Sequence, residues 1–152
     1  MIKKEKPSDV KVMLVDDDHF IVNMYKIKFE HVGFECKMAA NGKEALEIAR
    51  SGYVPDVLFV DVIMPVMGGI ELLETLRAEK LFENVPIVML TNQSQAQDID
   101  SARKLGVHSY IVKATTIPSE IVDEIEEMFG LKSSTPTASP DDIVTNSTPE
   151  PK

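Results

Sequence analysis

Three runs of four consecutive apolar residues constrain the fold of this chain more than any other feature: Val12-Met13-Leu14-Val15, Val57-Leu58-Phe59-Val60 and Ile87-Val88-Met89-Leu90. A strand with one wet face alternates apolar and polar side chains. A run with no polar member at either parity suits a strand covered on both faces, the situation of a parallel sheet whose crossovers lay helices on each side. Extended by their flanking residues, these runs become strands Val10–Val15, Val57–Val60 and Pro86–Leu90, and two weaker β-rich runs, Glu35–Ala39 and Ser109–Val112, bring the number to five.

Helical patterns lie between the strands. His19 to His31 carries Ile21, Met24, Ile27 and Phe29, and Asn41 is placed to cap a helix holding Ala45, Leu46, Ile48 and Ala49. Gly69 to Lys80 carries Ile70, Leu72, Leu73 and Leu76. Gln95 to Leu105 carries Ala96, Ile99 and Ala102 and is stopped by Gly106; Ser119 to Met128 follows Pro118. Five strands alternating with five helices predict an α/β fold, a doubly wound five-stranded parallel sheet with helices on both faces and right-handed crossovers.

Composition sets the limits of function. Asp and Glu outnumber Lys and Arg by 25 to 16, and a net charge of -9 argues against a surface built to neutralise nucleic-acid phosphates. No apolar run approaches the roughly 18–20 residues of a membrane span, and no apolar stretch follows the charged first residues, so a cytoplasmic protein with no membrane partner is expected. The single cysteine, Cys36, excludes an internal disulfide and a cysteine metal cluster, and is expected to be packed near the sheet. Residues 132–152 contain four prolines and eight Ser or Thr, a composition that cannot bury enough apolar surface to order itself. The expected organisation is a flexible arm at 1–9, a folded unit at 10–131 and a disordered tail at 132–152.

In doubly wound sheets, sites form where loops leave the carboxyl ends of the strands. The residues delivered there are Asp16, Asp17 and Asp18 after the first strand, Asp61 after the third, Thr91 after the fourth and Lys113 after the fifth. Clustered carboxylates repel unless a cation sits among them, and an all-oxygen donor set suits Mg²⁺. With the cation in place one carboxylate stays ionised and can attack a phosphoryl group, whose oxygens a lysine and a hydroxyl can neutralise. Asp18 reads as a helix cap, and His19, His31 and His108, which have no ligand spacing, read as surface or helix-end residues.

Leu14-Val15-Asp16-Asp17-Asp18, Val60-Asp61-Val62-Ile63-Met64-Pro65-Val66-Met67-Gly68-Gly69, Leu90-Thr91 and Tyr110-Ile111-Val112-Lys113 together resemble the receiver domains of bacterial two-component response regulators, of the stand-alone type. The resemblance implies a flavodoxin-like strand order 2-1-3-4-5. It implies Asp61 as phosphoacceptor, and Mg²⁺ held by Asp16, Asp17, Asp61 and the backbone carbonyl of Ile63. Thr91 would bind the phosphoryl group. Lys113 would pair with Asp61 when the site is empty and with a phosphoryl oxygen when it is loaded, and Tyr110 would be a rotamer switch coupled to Thr91. The implied function is a phosphoryl-accepting signalling switch, not an enzyme beyond its own phosphorylation and dephosphorylation. Its donor would be a histidine kinase or histidine phosphotransfer protein. Its downstream target would bind the face formed by 95–105, 109–112 and 119–128.

Four positions depart from the family pattern. Ala114 follows Lys113 where a proline, typically after a cis peptide, is usual; Gly68-Gly69 replaces Asp-Gly; Asn92 follows Thr91 where a smaller residue is usual; and Ile63 is apolar where polar residues are frequent. A branched Ile63 is expected to shield the phosphoryl group from water. Ala114 and Asn92 keep a second reading open, a degenerate receiver that binds its partner without phosphorylation.

Overall fold

The three apolar runs form the centre of the sheet. The structure, a computed structural model, describes residues 3–91 and 96–131, the side chains of 96–99 excepted. The strands are β1 (Lys11–Val15), β2 (Glu35–Ala39), β3 (Val57–Asp61), β4 (Ile87–Thr91) and β5 (Ser109–Val112). The helices are α1 (His19–Val32), α2 (Gly42–Arg50), α3 (Gly69–Ala78), α4 (Ala96–Lys104) and α5 (Pro118–Met128), with short 3₁₀ turns at Pro7–Asp9 and Lys113–Thr115. All pairings are parallel and the spatial order is β2-β1-β3-β4-β5, the order the family resemblance implied.

Alternation along the central strands divides the core in two. Met13, Val15, Leu58, Val60, Ile87 and Met89 face α2, α3 and α4, where Leu46, Leu72, Leu73 and Leu76 meet them. Val12, Leu14, Val57, Phe59, Val88 and Leu90 face α1 and α5. Each fully buried Leu or Phe contributes about 1.5–3 kcal/mol of transfer free energy. In the second layer Phe29 has Tyr25, Phe34 and Phe59 around it, with ring centroids 6.0 to 6.1 Å apart. The edge strand β2 keeps the alternating burial of a strand covered less fully.

The buried stripe of α1 differs from the expected one. Val22, Tyr25 and Phe29 are its buried residues, whereas Ile27 is largely exposed. Positions 22, 25 and 29 repeat at the i, i+3, i+7 spacing of one helical face, and 27 falls outside it. Two caps match their sequence reading. The Asp18 carboxylate accepts from the Phe20 and Ile21 amides at 3.0 and 3.2 Å, and the Asn41 side chain accepts from the Glu44 amide at 2.9 Å.

Residues 4–10 carry contacts of their own. The Lys4 amide donates to the Phe129 carbonyl at 2.8 Å, and the Lys4 ammonium lies 3.0 Å from Asp56, whose other oxygen accepts from the Lys11 amide at 2.7 Å. Residues 132–152, including Ile143 and Val144, lie outside the described residues, as do Asn92 and Gln93.

The loop after β3 holds Val66 at φ +71° with its side chain exposed. A β-branched residue in the left-handed region carries roughly 1–2 kcal/mol of strain. Asparagine tolerates that region, so Val66→Asn is expected to raise stability by about 1 kcal/mol, read as a rise of a few degrees in thermal midpoint.

Candidate acidic site at the carboxyl edge

Strand register brings the acids together. Val15 pairs with Val60, so the next residues, Asp16 on one strand and Asp61 on the other, emerge side by side where the chain passes from β1 to neighbours on both sides. That is the topological switch point, where open α/β sheets place their sites. Asp61 is the last residue of β3 and pairs with Leu90; Thr91 ends β4 opposite Val112, and Lys113 follows.

Asp16, Asp61 and Thr91 are the buried polar or charged residues among those described, while Asp17 is exposed. Asp16, Asp17 and Asp61 each offer one carboxylate oxygen, all within 4.8 Å of one another. The Lys113 ammonium reaches into this cluster, 3.1 Å from Asp16 Oδ2 and 3.4 Å from Asp61 Oδ2. Lysine therefore bridges two carboxylates: it pairs with Asp61, as the resemblance implied, and lies nearer still to Asp16. The other Asp16 oxygen, Oδ1, accepts from the Asp18 amide at 2.9 Å.

Charge and burial oppose each other here. Burial pushes the Asp61 carboxyl up to about 7, the Asp16 charge adds to the rise, and Lys113 holds it back. Burial draws the Lys113 ammonium down, but Asp16 and Asp61 outweigh it and keep it above the usual lysine value. An acid whose folded pKa is raised binds its proton more tightly when folded. Its contribution to stability is complete below the unfolded value near 4 and is lost as pH rises through about 7. Melts in metal-free buffer should show Asp61→Asn with a higher midpoint than the parent at pH 8. That advantage should shrink as pH falls through 7 toward 4.

Glycine makes room for the loop that follows. A Cβ on Gly69 would lie 2.3 Å from the Asp61 carbonyl oxygen, 3.1 Å from its carbon and 3.2 Å from Met89 Cε. The Gly69 amide donates to the Val62 carbonyl at 2.9 Å, so α3 begins directly beneath the end of β3. The Gly-Gly pair noted in the sequence is thus required at its second member, while Gly68 holds the N-cap position with extended backbone. Beyond Lys113 the chain turns through Lys113–Thr115 with a trans Lys113–Ala114 peptide. Ile63 stands exposed at the rim.

Tyr110, on β5, is 40% exposed. Its hydroxyl accepts from Arg103 Nη2 of α4 at 3.1 Å. Sequence reasoning misses Arg103: an arginine seven residues before an aromatic is no periodic signal, and only the way the chain returns from α4 into β5 joins them. The three histidines are exposed, as read from the sequence, and Cys36 is partly buried with its thiol pushed up to about 12 by burial.

A parallel sheet with three acids and a lysine at its switch point defines an α/β protein with an acidic pocket at the carboxyl edge. The chain belongs to the response regulator receiver domain family, whose model matches residues 12–126. It is 33% identical over 122 residues to the chemotaxis protein CheY homolog of Campylobacter jejuni, covering 80% of this chain and 93% of that protein. Chemotaxis protein CheY1 of Helicobacter pylori is 32% identical over 122 residues, 80% of this chain and 98% of that one. Among solved structures, the chemotaxis response regulator CheY4 of Vibrio cholerae superposes with a TM-score of 0.70 at 30% identity, covering 78% and 97% of the two chains. Receiver domains of the CheY type are signalling proteins of two-component systems. Among the described residues no helix is long and apolar enough to cross a membrane.

Proposed function

We propose that this receiver domain accepts a phosphoryl group on Asp61 from a phosphorylated histidine of a kinase or phosphotransfer protein, in a Mg²⁺-dependent reaction, and signals through protein contacts. The observation that carries the reading is the junction of Asp16, Asp17, Asp61 and Lys113 at one edge of the sheet.

Three carboxylates within 4.8 Å are a like-charge cluster of hard oxygen donors, which a small divalent cation fits. Asp16, Asp17, Asp61 and the Ile63 carbonyl would hold Mg²⁺, which when bound supplies positive charge to neutralise the attacking carboxylate and the phosphoryl oxygens. The chain's own residues do the rest. Asp61 presents a carboxylate oxygen to phosphorus; the new P–O bond forms as the P–N bond of the donor breaks, and its electron pair leaves with the imidazole nitrogen. Lys113, already between Asp16 and Asp61, favours the ionised form of Asp61 before transfer, with the cation completing the neutralisation when bound, and pairs with a phosphoryl oxygen after it. Thr91, fully buried one residue past the level of Asp61, offers its hydroxyl to another phosphoryl oxygen. Movement of Thr91 is relayed to Tyr110 and so to the face made by 95–105, 109–112 and 119–128, where the downstream target docks. The domain spans 10–131, with 132–152 as its tail.

A phosphorylation-independent binding module has less support: such a protein has no need of a half-buried lysine bridging two carboxylates, and the trans Lys113–Ala114 turn still delivers Lys113 to them. The test is incubation with acetyl phosphate and Mg²⁺ followed by intact-mass measurement. One added phosphoryl group supports the reading, and an unchanged mass in a protein that binds Mg²⁺ overturns it. Asp17→Ala is expected to weaken Mg²⁺ binding about tenfold or more in a titration and to slow phosphorylation, because Asp17 is the exposed third of the donor set. Unchanged binding would remove Asp17 from that set.

A further inference from the structure

We propose that Arg103 is a positioning residue for Tyr110, holding its ring outward against α4 until phosphorylation releases it. This rests on the reading of Tyr110 as the switch. Three contacts define the arrangement. Arg103 Nη2 donates to the Tyr110 hydroxyl at 3.1 Å. The guanidinium carbon lies 5.9 Å from the ring centroid, within cation–π range. Arg103 Nη1 lies 3.5 Å from Asp100 Oδ1, one turn earlier on α4, which fixes the guanidinium from its other end.

The geometry ties two elements of one surface together. Tyr110 pairs in register with Met89 on β4, two residues before Thr91. Arg103 sits in the last turn of α4, on the connection between β4 and β5. A ring that turns inward must leave both the hydrogen bond and the cation–π contact. The guanidinium then faces solvent without its aromatic partner. Inward rotation therefore changes the α4–β5 surface twice, by removing an aromatic edge and by baring the Nη2 end of a cation still held by Asp100, and a partner with an acidic residue opposite Arg103 would sense both. The contacts are exposed, so the bias they supply is modest. Losing a hydrogen bond and a cation–π contact of this kind raises the inward population about fivefold.

The experiment uses the full chain labelled with fluorotyrosine, each signal of Tyr25, Tyr53 and Tyr110 being assigned by its Tyr→Phe variant. Spectra of the parent, Arg103→Ala, Arg103→Lys and Asp100→Asn are taken without phosphodonor, and of the parent with Mg²⁺ and acetyl phosphate. The expected result is that Arg103→Ala, unphosphorylated, moves the Tyr110 signal toward its position in the phosphorylated parent. Asp100→Asn should move it less in the same direction, Arg103→Lys should recover part of the outward population, and thermal midpoints should change little. A Tyr110 signal in Arg103→Ala that coincides with that of the unphosphorylated parent overturns the proposal while leaving the switch intact. A Tyr110 signal that stays still in the parent when mass shows Asp61 loaded overturns the switch, and this proposal with it.

Discussion

Asp61→Asn should take up no phosphoryl group under conditions that add about 80 Da to the parent, a mass fixed by the modification itself. The neighbouring acids cannot replace it. Asp16 is buried, with one oxygen accepting from the Asp18 amide and the other facing Lys113. Asp17 is exposed, with no ion pair to Lys113 among the described residues. Asp61 is the last residue of β3, has a lysine within 3.4 Å and lies within 4.8 Å of an oxygen of each other acid. An amide at this position is isosteric but is not a nucleophile, so the loss is expected to be complete within detection. Peptide mapping of the parent provides the check; persistent aspartyl labelling of the variant at another residue would sink the assignment.

Gly69→Ala should cost about 3 kcal/mol or more, lowering the thermal midpoint by on the order of 10 °C for a domain of this size. The added methyl would lie 2.3 Å from the Asp61 carbonyl oxygen, and both groups belong to backbone that carries structure: the end of β3 and the first turn of α3. No side-chain rotation relieves such an overlap. Either α3 withdraws, uncovering Leu72 and Leu73, or the end of β3 shifts and carries Asp61 away from Lys113. The variant should therefore lose phosphorylation rate as well as stability. Gly68→Ala is the control, because its methyl meets the Val62 carbonyl at 3.1 Å, which a small adjustment accommodates. Equal midpoints for the two variants would show that the close approach at Gly69 relaxes without loss.

The sheet is legible in the sequence because the apolar runs at Val12, Val57 and Ile87 have no polar interruption, and only a strand buried on both faces requires that. The acidic edge is legible because Asp16, Asp61 and Thr91 each stand at the end of such a run and Lys113 at the end of the weaker run Ser109–Val112, and parallel strands present their carboxyl ends to the same side. Three details are not. Ile27 reads as core because it is apolar, but its side of α1 faces away from the sheet. Lys113 lies closer to Asp16 than to Asp61, an outcome decided by tenths of an ångström in side-chain placement that spacing cannot encode. Arg103 meets Tyr110 only through the way the chain returns from the end of α4 into β5. The strain at Val66 is hidden for a related reason: nothing in Met64-Pro65-Val66-Met67 announces a positive φ, because the residue there is not glycine.

The bonds that tie Lys4 to Phe129 and Asp56 have a topological consequence. They bring the entry and exit of the folded unit to one spot, at the end of the sheet remote from the carboxylates. Domains whose ends meet in this way tolerate circular permutation. A short linker from Leu131 back to Lys4 would close the chain into a ring. The ring could be reopened at Gly52, in the turn after α2, where the position a Cβ would take has no other atom within 4 Å. Reordered in this way, the polypeptide would keep every neighbour of Asp61 while presenting new ends on a different flank of the molecule.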